Sequence, residues 1–305
     1  MKKKISIWLE AARLRTLPLS IAGIIVGNGL AFVGGNFSPL LFFFALLTTI
    51  SFQVLSNFAN DYGDGVKGTD NAQRLGPARV LQQGLLTREE LKKGMQLCTA
   101  FSLLSALTLI WLSFDKTQLY AALFFLALGI VSIVSAIKYT VGDSAYGYYA
   151  LGDLFVFIFF GGVSVLGSFY LQAQFLTLEL LLPAISIGVF STAVLNLNNL
   201  RDMENDLTSN KITLPILLGL VKGKRYHYFL ILVGFLSTLS YGYLMGGEYL
   251  YFLPLLMIIP FGKHLHRVSN SSGGKAFDPE LKVVALSTFA FSILFVTGFI
   301  VDALW

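Results

Sequence analysis

The chain reads as an all-α polytopic membrane protein of about nine transmembrane helices, and three observations carry that reading. Of its 305 residues, 55% are hydrophobic and only 13% charged, where a soluble protein carries about 25% charged residues. Apolar runs recur at the length of about 17 to 25 residues that crosses a hydrocarbon core of roughly 30 Å. The basic residues fall on one side of those runs, as they do in cytoplasmic loops. This composition excludes a soluble globular protein. The net charge of +5 and pI near 9.2 belong to topology and not to a nucleic-acid footprint, because the charge is divided among loops separated by spans.

Sliding hydropathy places the spans at roughly 17 to 33, 39 to 58, 96 to 113, 118 to 137, 151 to 172, 178 to 198, 227 to 246, 249 to 262 and 284 to 303. The eighth is short and contains Pro254 and Pro260, so the sequence leaves its ends and its straightness open. With the amino terminus inside, 21 of the 22 Lys and Arg residues lie on the cytoplasmic side and Lys116 alone lies outside. A wrong span count would scatter those charges, so their agreement supports both number and direction. The basic start, Met1 to Lys4, resembles the positive end of a signal peptide. Trp8, Glu10, Arg13 and Arg15 interrupt the stretch that should be apolar, and the segment reads as an interfacial helix that stays attached. The single cysteine, Cys98, excludes an internal disulfide and reads as a small core residue.

Two polar clusters interrupt the apolar pattern. The second span runs into Ser56-Asn57-Phe58-Ala59-Asn60-Asp61-Tyr62-Gly63-Asp64, followed by Lys67, Asp70, Arg74 and Arg79. At about 100° per residue, Asn57, Asn60, Asp61 and Asp64 share one helix face of roughly 100°. Gly63, Gly65 and Gly68 are expected to end that helix and leave Asp70, Arg74 and Arg79 on a loop. The sixth span ends alike: Asn198, Asn199, Asn205 and Asp206 lie within about 60° of Asp202 on the helical wheel, and Lys211 follows. Asparagines, paired aspartates and then basic residues thus occur twice, four spans apart. The chain reads as one domain, 1–305, with a weak internal repeat over about 1–137 and 138–262, of the kind that places a site between two halves.

A charge at membrane depth costs about 2.5 to 3.5 kcal/mol and is normally functional or paired. Asp61, Asp64, Asp202 and Asp206, with oxygens from Asn57, Asn60, Asn198 and Asn199, offer the hard ligands that magnesium prefers. Lys67, Arg74, Arg79, Arg201 and Lys211 are too many to be simple counter-ions and would face a bound diphosphate. Solvated loop charge explains any one of these residues, Asp70, Glu204 and Asp206 most readily. It does not explain a one-faced Asn and Asp pattern that occurs twice.

The sequence resembles the UbiA superfamily of intramembrane aromatic prenyltransferases, and within it the 1,4-dihydroxy-2-naphthoate polyprenyltransferases of menaquinone synthesis. The likeness spans nearly the whole chain. It rests on Trp8 with Arg13 to Pro18, Asn60 to Asp64 with Arg74 to Arg79, Tyr139 and Tyr146-Gly147 before Leu151-Gly152-Asp153, Phe160-Gly161, and Asn198 to Asp202 with Asp206. The family's first motif often has an aspartate four residues after the Asp64 equivalent; Gly68 stands there, which leaves the part of Asp70 in metal binding open. The resemblance implies helices around a cavity open at the cytoplasmic side of a bacterial inner membrane, a polyprenyl diphosphate donor, Mg2+ and a dihydroxynaphthoate acceptor. It also implies that the acceptor's carboxylate leaves as carbon dioxide and that the product is demethylmenaquinone.

On that reading magnesium at Asp61, Asp64, Asp202 and Asp206 turns the diphosphate into a leaving group, and the Arg and Lys side chains hold its charge. Tyr139 and Tyr146 would face the allylic cation, although an interfacial aromatic belt explains them equally well. Arg15, Lys138 and Asp153 could orient the acceptor or serve structure. His264 and His266 read as a headgroup-facing basic patch. Gly23, Gly27, Gly161 and Gly162 read as close-packing positions or room for the prenyl tail, and the 27 phenylalanines suit a tunnel and lipid alike. The rivals are a prenyltransferase with another acceptor, such as 4-hydroxybenzoate or homogentisate, and a secondary transporter. A transporter would ordinarily place its polar groups near the bilayer midplane, whereas this chain gathers them at one face.

Overall fold

A computed structural model of the chain describes residues 4–304; Met1–Lys3, the start of the basic run, lie outside the described residues. Those residues are helical wherever they are regular, with one isolated bridge between Tyr149 and Ile212. In chain order the helices are α1 (Lys4–Ala12), α2 (Leu17–Val33), α3 (Pro39–Lys67), α4 (Arg88–Ser113), α5 (Leu119–Lys138), α6 (Gly152–Ala173), α7 (Leu181–Thr208), α8 (Leu214–Leu244), α9 (Ile258–Asn270) and α10 (Asp278–Leu304). Among the described residues eight stretches are long and apolar enough to cross a membrane, the first being Lys4–Val33. The chain is an integral membrane protein. The remaining expected span, 249–262, is broken: Tyr249–Met257 winds as tighter 3₁₀ turns around Pro254, and α9 begins only at Ile258. Proline has no N–H for the α-helical ladder, and its ring crowds the preceding turn.

Two helices outlast the spans that hydropathy assigns. α3 continues to Lys67 and α7 to Thr208, because buried asparagine and aspartate keep helical geometry where apolarity stops. Gly63 and Gly65 do not end α3. A Cβ at Gly63 would approach Thr140 to 2.6 Å, and one at Gly65 would approach Leu81 to 2.5 Å, so these glycines admit neighbouring chain against the helix. The helix ends at Gly68, whose φ of 76° brings the Thr69 N–H to the Asp64 carbonyl at 3.0 Å, the six-to-one closure that a left-handed glycine permits.

The chain folds into two compact units. The first comprises Met1–Leu17, Phe44–Gly152 and Asp202–Thr213, and so holds the aspartates of both motifs. Its core gathers Ala11, Leu55, Phe58, Ala59, Leu91 and Met95, with the Trp8 ring edge-on to Phe58 at 5.3 Å. Cys98 lies at the margin of this core, half-buried. α1 is thereby anchored by its own apolar face. A capping box at Thr87 and Glu90 starts α4.

The second unit comprises Pro18–Phe43, Asp153–Arg201 and Leu214–Trp305. Five of the chain's phenylalanines, Phe190, Phe235, Phe261, Phe291 and Phe295, pack here as neighbouring rings, four of them at most 1% exposed. Four of these rings are withdrawn from the surface and pack on one another, so the cluster is core, held by ring packing and not by transfer from water. α6 widens into π-helical turns over Phe157–Gly167. There the Gly161 Cα faces the Ala184 carbonyl and Gly188, and Gly23 packs against Ser164. The expectation for His264 is overturned. It is fully buried, its Nε2 lies 2.8 Å from His227 Nε2, and its Nδ1 lies 2.7 Å from Glu280, which Arg267 also holds. A helical period turned His264 inward and His266 out, which spacing within a basic loop does not reveal.

Candidate active site

The first unit brings the two aspartate motifs into one polar cluster. Asp61, Asp64, Asp70, Asp202 and Asp206 are each at most 9% exposed, and buried carboxylates need partners. Asp61 takes an ion pair from the Arg13 guanidinium and lies 3.6 Å from Arg79 Nε. Arg13 reaches it from a left-handed backbone (φ 49°, ψ 56°) at the joint between α1 and α2. A non-glycine residue held in that region stores strain of the kind found at functional positions.

The loop after α3 folds back over the motif. Asp70 Oδ1 pairs with Arg74 Nε at 2.9 Å and lies 4.0 Å from Arg79 Nε. Burial and the neighbouring Asp64 carboxylate push the Asp70 pKa up against the pull of Arg74 and Arg79. Burial, with Arg74 adding to it, pulls the Arg79 guanidinium down to about 9. Lys211 pairs with Asp206 at 3.7 Å. Burial alone would lower the Lys211 ammonium; the carboxylates of Asp64 and Asp206 outweigh it and hold its pKa above the ordinary range. One lysine therefore feels a carboxylate of each motif.

Tyr148 closes the cluster. Its hydroxyl donates to Asp64 Oδ1 at 2.8 Å and lies 2.6 Å from Thr69 Oγ1, while Lys67 Nζ sits 3.8 Å from its ring centroid. Asn205 Nδ2 donates to the Thr69 carbonyl at 2.9 Å. Beside Asp61 a cavity of about 270 Å³ opens, lined by Leu9, Leu14, Val80 and the arginines 13, 15 and 79.

The structure gives the other expected site residues these surroundings. The Asn57 amide donates to the Ala12 carbonyl at 2.8 Å and so secures the α1 joint, and Asn60 Oδ1 accepts from Thr140 at 3.3 Å. The Tyr139 and Tyr146 rings meet edge-on at 5.3 Å, with the Tyr146 hydroxyl on the Ser135 carbonyl. Lys138 is exposed at the end of α5. Asn198, Asn199, Arg201 and Asp153 belong to the second unit. There Arg201 pairs with Asp278 at 2.6 Å and holds Asn198, while Asp153 is bonded by Tyr226.

Among the described residues no three carboxylate, histidine or cysteine side chains converge into a ready-made cation cage. The first unit offers instead buried oxygens with no hydrogen-bond partner: Asp70 Oδ2, Asp206 Oδ2 and Asn205 Oδ1. Hard oxygens that supply part of a coordination sphere and leave the rest to a phosphate suit magnesium, so the donor set fits that ion.

The model of the UbiA prenyltransferase family matches residues 20–299. The chain belongs to that family. It is 41% identical to the 1,4-dihydroxy-2-naphthoate octaprenyltransferase of Escherichia coli (strain K12), over 95% of this chain and 94% of that one. It is 40% identical to the protein of the same name from Haemophilus influenzae, over 99% and 98%. Among solved structures, a UbiA homologue from Aeropyrum pernix K1 superposes with a TM-score of 0.67 at 14% identity, covering 99% of both chains. A UbiA homologue from Archaeoglobus fulgidus bound to DMAPP and Mg2+ superposes with a TM-score of 0.64 at 15% identity, over 95% and 99%.

Against this UbiA fold, the sequence placed Asn205 on the polar face of the second motif but gave no sign of Tyr148 or Thr69 as members of the cluster, and it assigned Arg13 no part in the site. Arg13 lies in the Arg13 to Pro18 segment that carries part of the family resemblance, and its charge before the first span is a usable signal. Tyr148 reads in sequence as one of several tyrosines in Tyr146-Gly147-Tyr148-Tyr149, and only packing separates the buried Tyr148 from the exposed Tyr149.

Proposed function

We propose that the chain transfers a polyprenyl group from a polyprenyl diphosphate to 1,4-dihydroxy-2-naphthoate, with loss of carbon dioxide, to give demethylmenaquinone. The gathering of both aspartate motifs with five cationic side chains in one compact unit carries this reading, and the names of its relatives at about 40% identity support it. Asp61, Asp64, Asp70, Asp202 and Asp206 balance Arg13, Arg74, Arg79, Lys67 and Lys211 in formal charge. Divalent cations added to a balanced set leave positive charge for a diphosphate. Magnesium, when bound, supplies the charge neutralisation that makes the diphosphate leave.

The chain's own residues do the rest. Asp61, Asp64, Asp202 and Asp206, with Asn205 beside them, present oxygens to the cation. Arg74, Arg79, Lys67 and Lys211 hold the departing charge by preorganised ion pairs and hydrogen bonds. The faces of Tyr139 and Tyr146 favour a cationic prenyl carbon and offer it no strong nucleophile. The cavity beside Asp61 takes the acceptor, with Leu9, Leu14 and Val80 against its rings and Arg15 on its carboxylate. The amino terminus and the cluster face the cytoplasm of a bacterial inner membrane, a reading that rests on the one-sided distribution of Lys and Arg. The whole chain serves as a single prenyltransferase domain.

Membranes containing the protein, supplied with polyprenyl diphosphate, magnesium and dihydroxynaphthoate, are expected to form demethylmenaquinone and release carbon dioxide, as read by mass spectrometry. Turnover of 4-hydroxybenzoate in place of dihydroxynaphthoate would overturn the acceptor assignment. Product formation that persists with a chelator would overturn the metal.

A further inference from the structure

One side chain that neither motif contains is tied to both. Tyr148 is 7% exposed, although it lies on a loop of only 13 residues between α5 and α6. Two backbone hydrogen bonds keep it there: the Ala150 N–H donates to the Ile212 carbonyl at 2.8 Å, and the Ile212 N–H donates to the Tyr148 carbonyl at 3.2 Å. This rung ties the Tyr148 loop to the segment that follows the second motif. A phenol has one proton, and at Tyr148 it goes to Asp64 Oδ1 at 2.8 Å. The 2.6 Å contact with Thr69 is then a bond donated by the threonine hydroxyl. Thr69 in turn accepts from Asn205 on its carbonyl at 2.9 Å, and its N–H is held by the Asp64 carbonyl at 3.0 Å. The links run Asn205, Thr69, Tyr148, Asp64: from the second motif to a carboxylate of the first. The ring of the same tyrosine carries Lys67 Nζ at 3.8 Å from its centroid and Lys211 Nζ at 5.6 Å, distances at which an ammonium is drawn to an aromatic face.

We propose that Tyr148 is a positioning residue that makes the two aspartate motifs act as one magnesium diphosphate site. Its hydroxyl fixes the Asp64 carboxylate by engaging one oxygen and leaving the other for the cation. Its ring fixes the two lysines that meet the phosphate. The inference rests on the magnesium diphosphate reading of the cluster. Groups that orient a cation's ligands typically control affinity by 10- to 100-fold without touching the ion. Loss of the hydroxyl therefore weakens magnesium binding, and turnover recovers at high magnesium. Loss of the ring also weakens diphosphate binding.

Tyr148→Phe, Tyr148→Leu and Thr69→Val test this in detergent-purified full-length protein. For Tyr148→Phe the magnesium concentration at half-maximal rate should rise about 10-fold, with kcat at saturating magnesium within about threefold of wild type and the KM for polyprenyl diphosphate little changed. Tyr148→Leu should raise that KM as well. Thr69→Val should shift magnesium dependence in the same direction, and the Thr69→Val, Tyr148→Phe double variant should be no worse than Tyr148→Phe alone, because both act through one carboxylate. Independently of turnover, electron paramagnetic resonance titration with Mn2+ and inorganic diphosphate should show weaker Mn2+ binding in Tyr148→Phe, in protein whose thermal unfolding is unaltered. Wild-type Mn2+ affinity in Tyr148→Phe, or a fall in kcat that magnesium does not restore, overturns the proposal alone. A wild-type protein that binds no Mn2+ overturns the site reading along with it.

Discussion

Asp61 shows what burial asks of one residue. It is 1% exposed and lies against Arg13 and Arg79, and removing one partner of such a buried pair typically costs about 3–5 kcal/mol. Replacement by the isosteric amide keeps the volume but leaves Arg13 and Arg79 without their counter-charge, so the amount of protein in the membrane has to be read beside turnover. Asp61→Asn and Asp202→Asn are each expected to lower turnover by more than about 100-fold while the protein still accumulates in membranes, as measured by product yield against immunoblot. A normal rate in either variant removes that residue from the site. The aspartates, Arg74, Arg79, Lys67 and Lys211 were legible one by one, because charge in an apolar chain is conspicuous. Arg13, Thr69 and Tyr148 were not, because their parts depend on which of several similar residues the fold turns inward. The Arg201 pairing with Asp278, 77 residues away, was hidden for the same reason.

At the scale of elements, close approach is decided by single missing side chains. In α6 the space beside Gly161 is filled by the backbone of α7, with the Gly188 Cα 2.8 Å from a Cβ built there, and backbone cannot swing aside as a side chain can. One residue on, a Cβ at Gly162 would meet nothing within 4 Å. Gly161→Val should therefore destabilise by about 1–3 kcal/mol, seen as a lower unfolding temperature in detergent. Gly162→Ala should be neutral or stabilising by up to about 1 kcal/mol. Equal effects at both positions would show that the α6–α7 contact is looser than described. Hydropathy located α3 and α7 but cut both short, since it measures apolarity and not helicity. The nine residues of α3 beyond position 58 include Asp61, Asp64 and Lys67. A helix ending at 58 would have left the motif on a loop with no face to share.

Over the whole molecule, the lopsided distribution of charge is the property with the widest reach. If the basic loops are cytoplasmic, the exposed Lys116 between α4 and α5 and the exposed Ser272 between α9 and α10 lie on opposite sides of the membrane. In a Cys98→Ala background, Lys116→Cys should label with an impermeant maleimide on intact cells and Ser272→Cys only after permeabilisation. The reverse pattern would invert the proposed orientation. Composition alone determined that the chain is a helical membrane protein, because lipid leaves a backbone few ways to satisfy its hydrogen bonds. The repeated one-faced Asn and Asp pattern determined which residues deserved chemistry, because a charge kept at membrane depth against its cost has to serve something. Tertiary structure alone decided the partners. It showed which arginine meets Asp61, that His264 turns inward to His227 and Glu280, and that Tyr148 bonds Asp64 of the first motif and, through Thr69, reaches Asn205 of the second. Those outcomes depend on contacts between residues tens of positions apart, and the period of a single helix carries no information about what packs against its face.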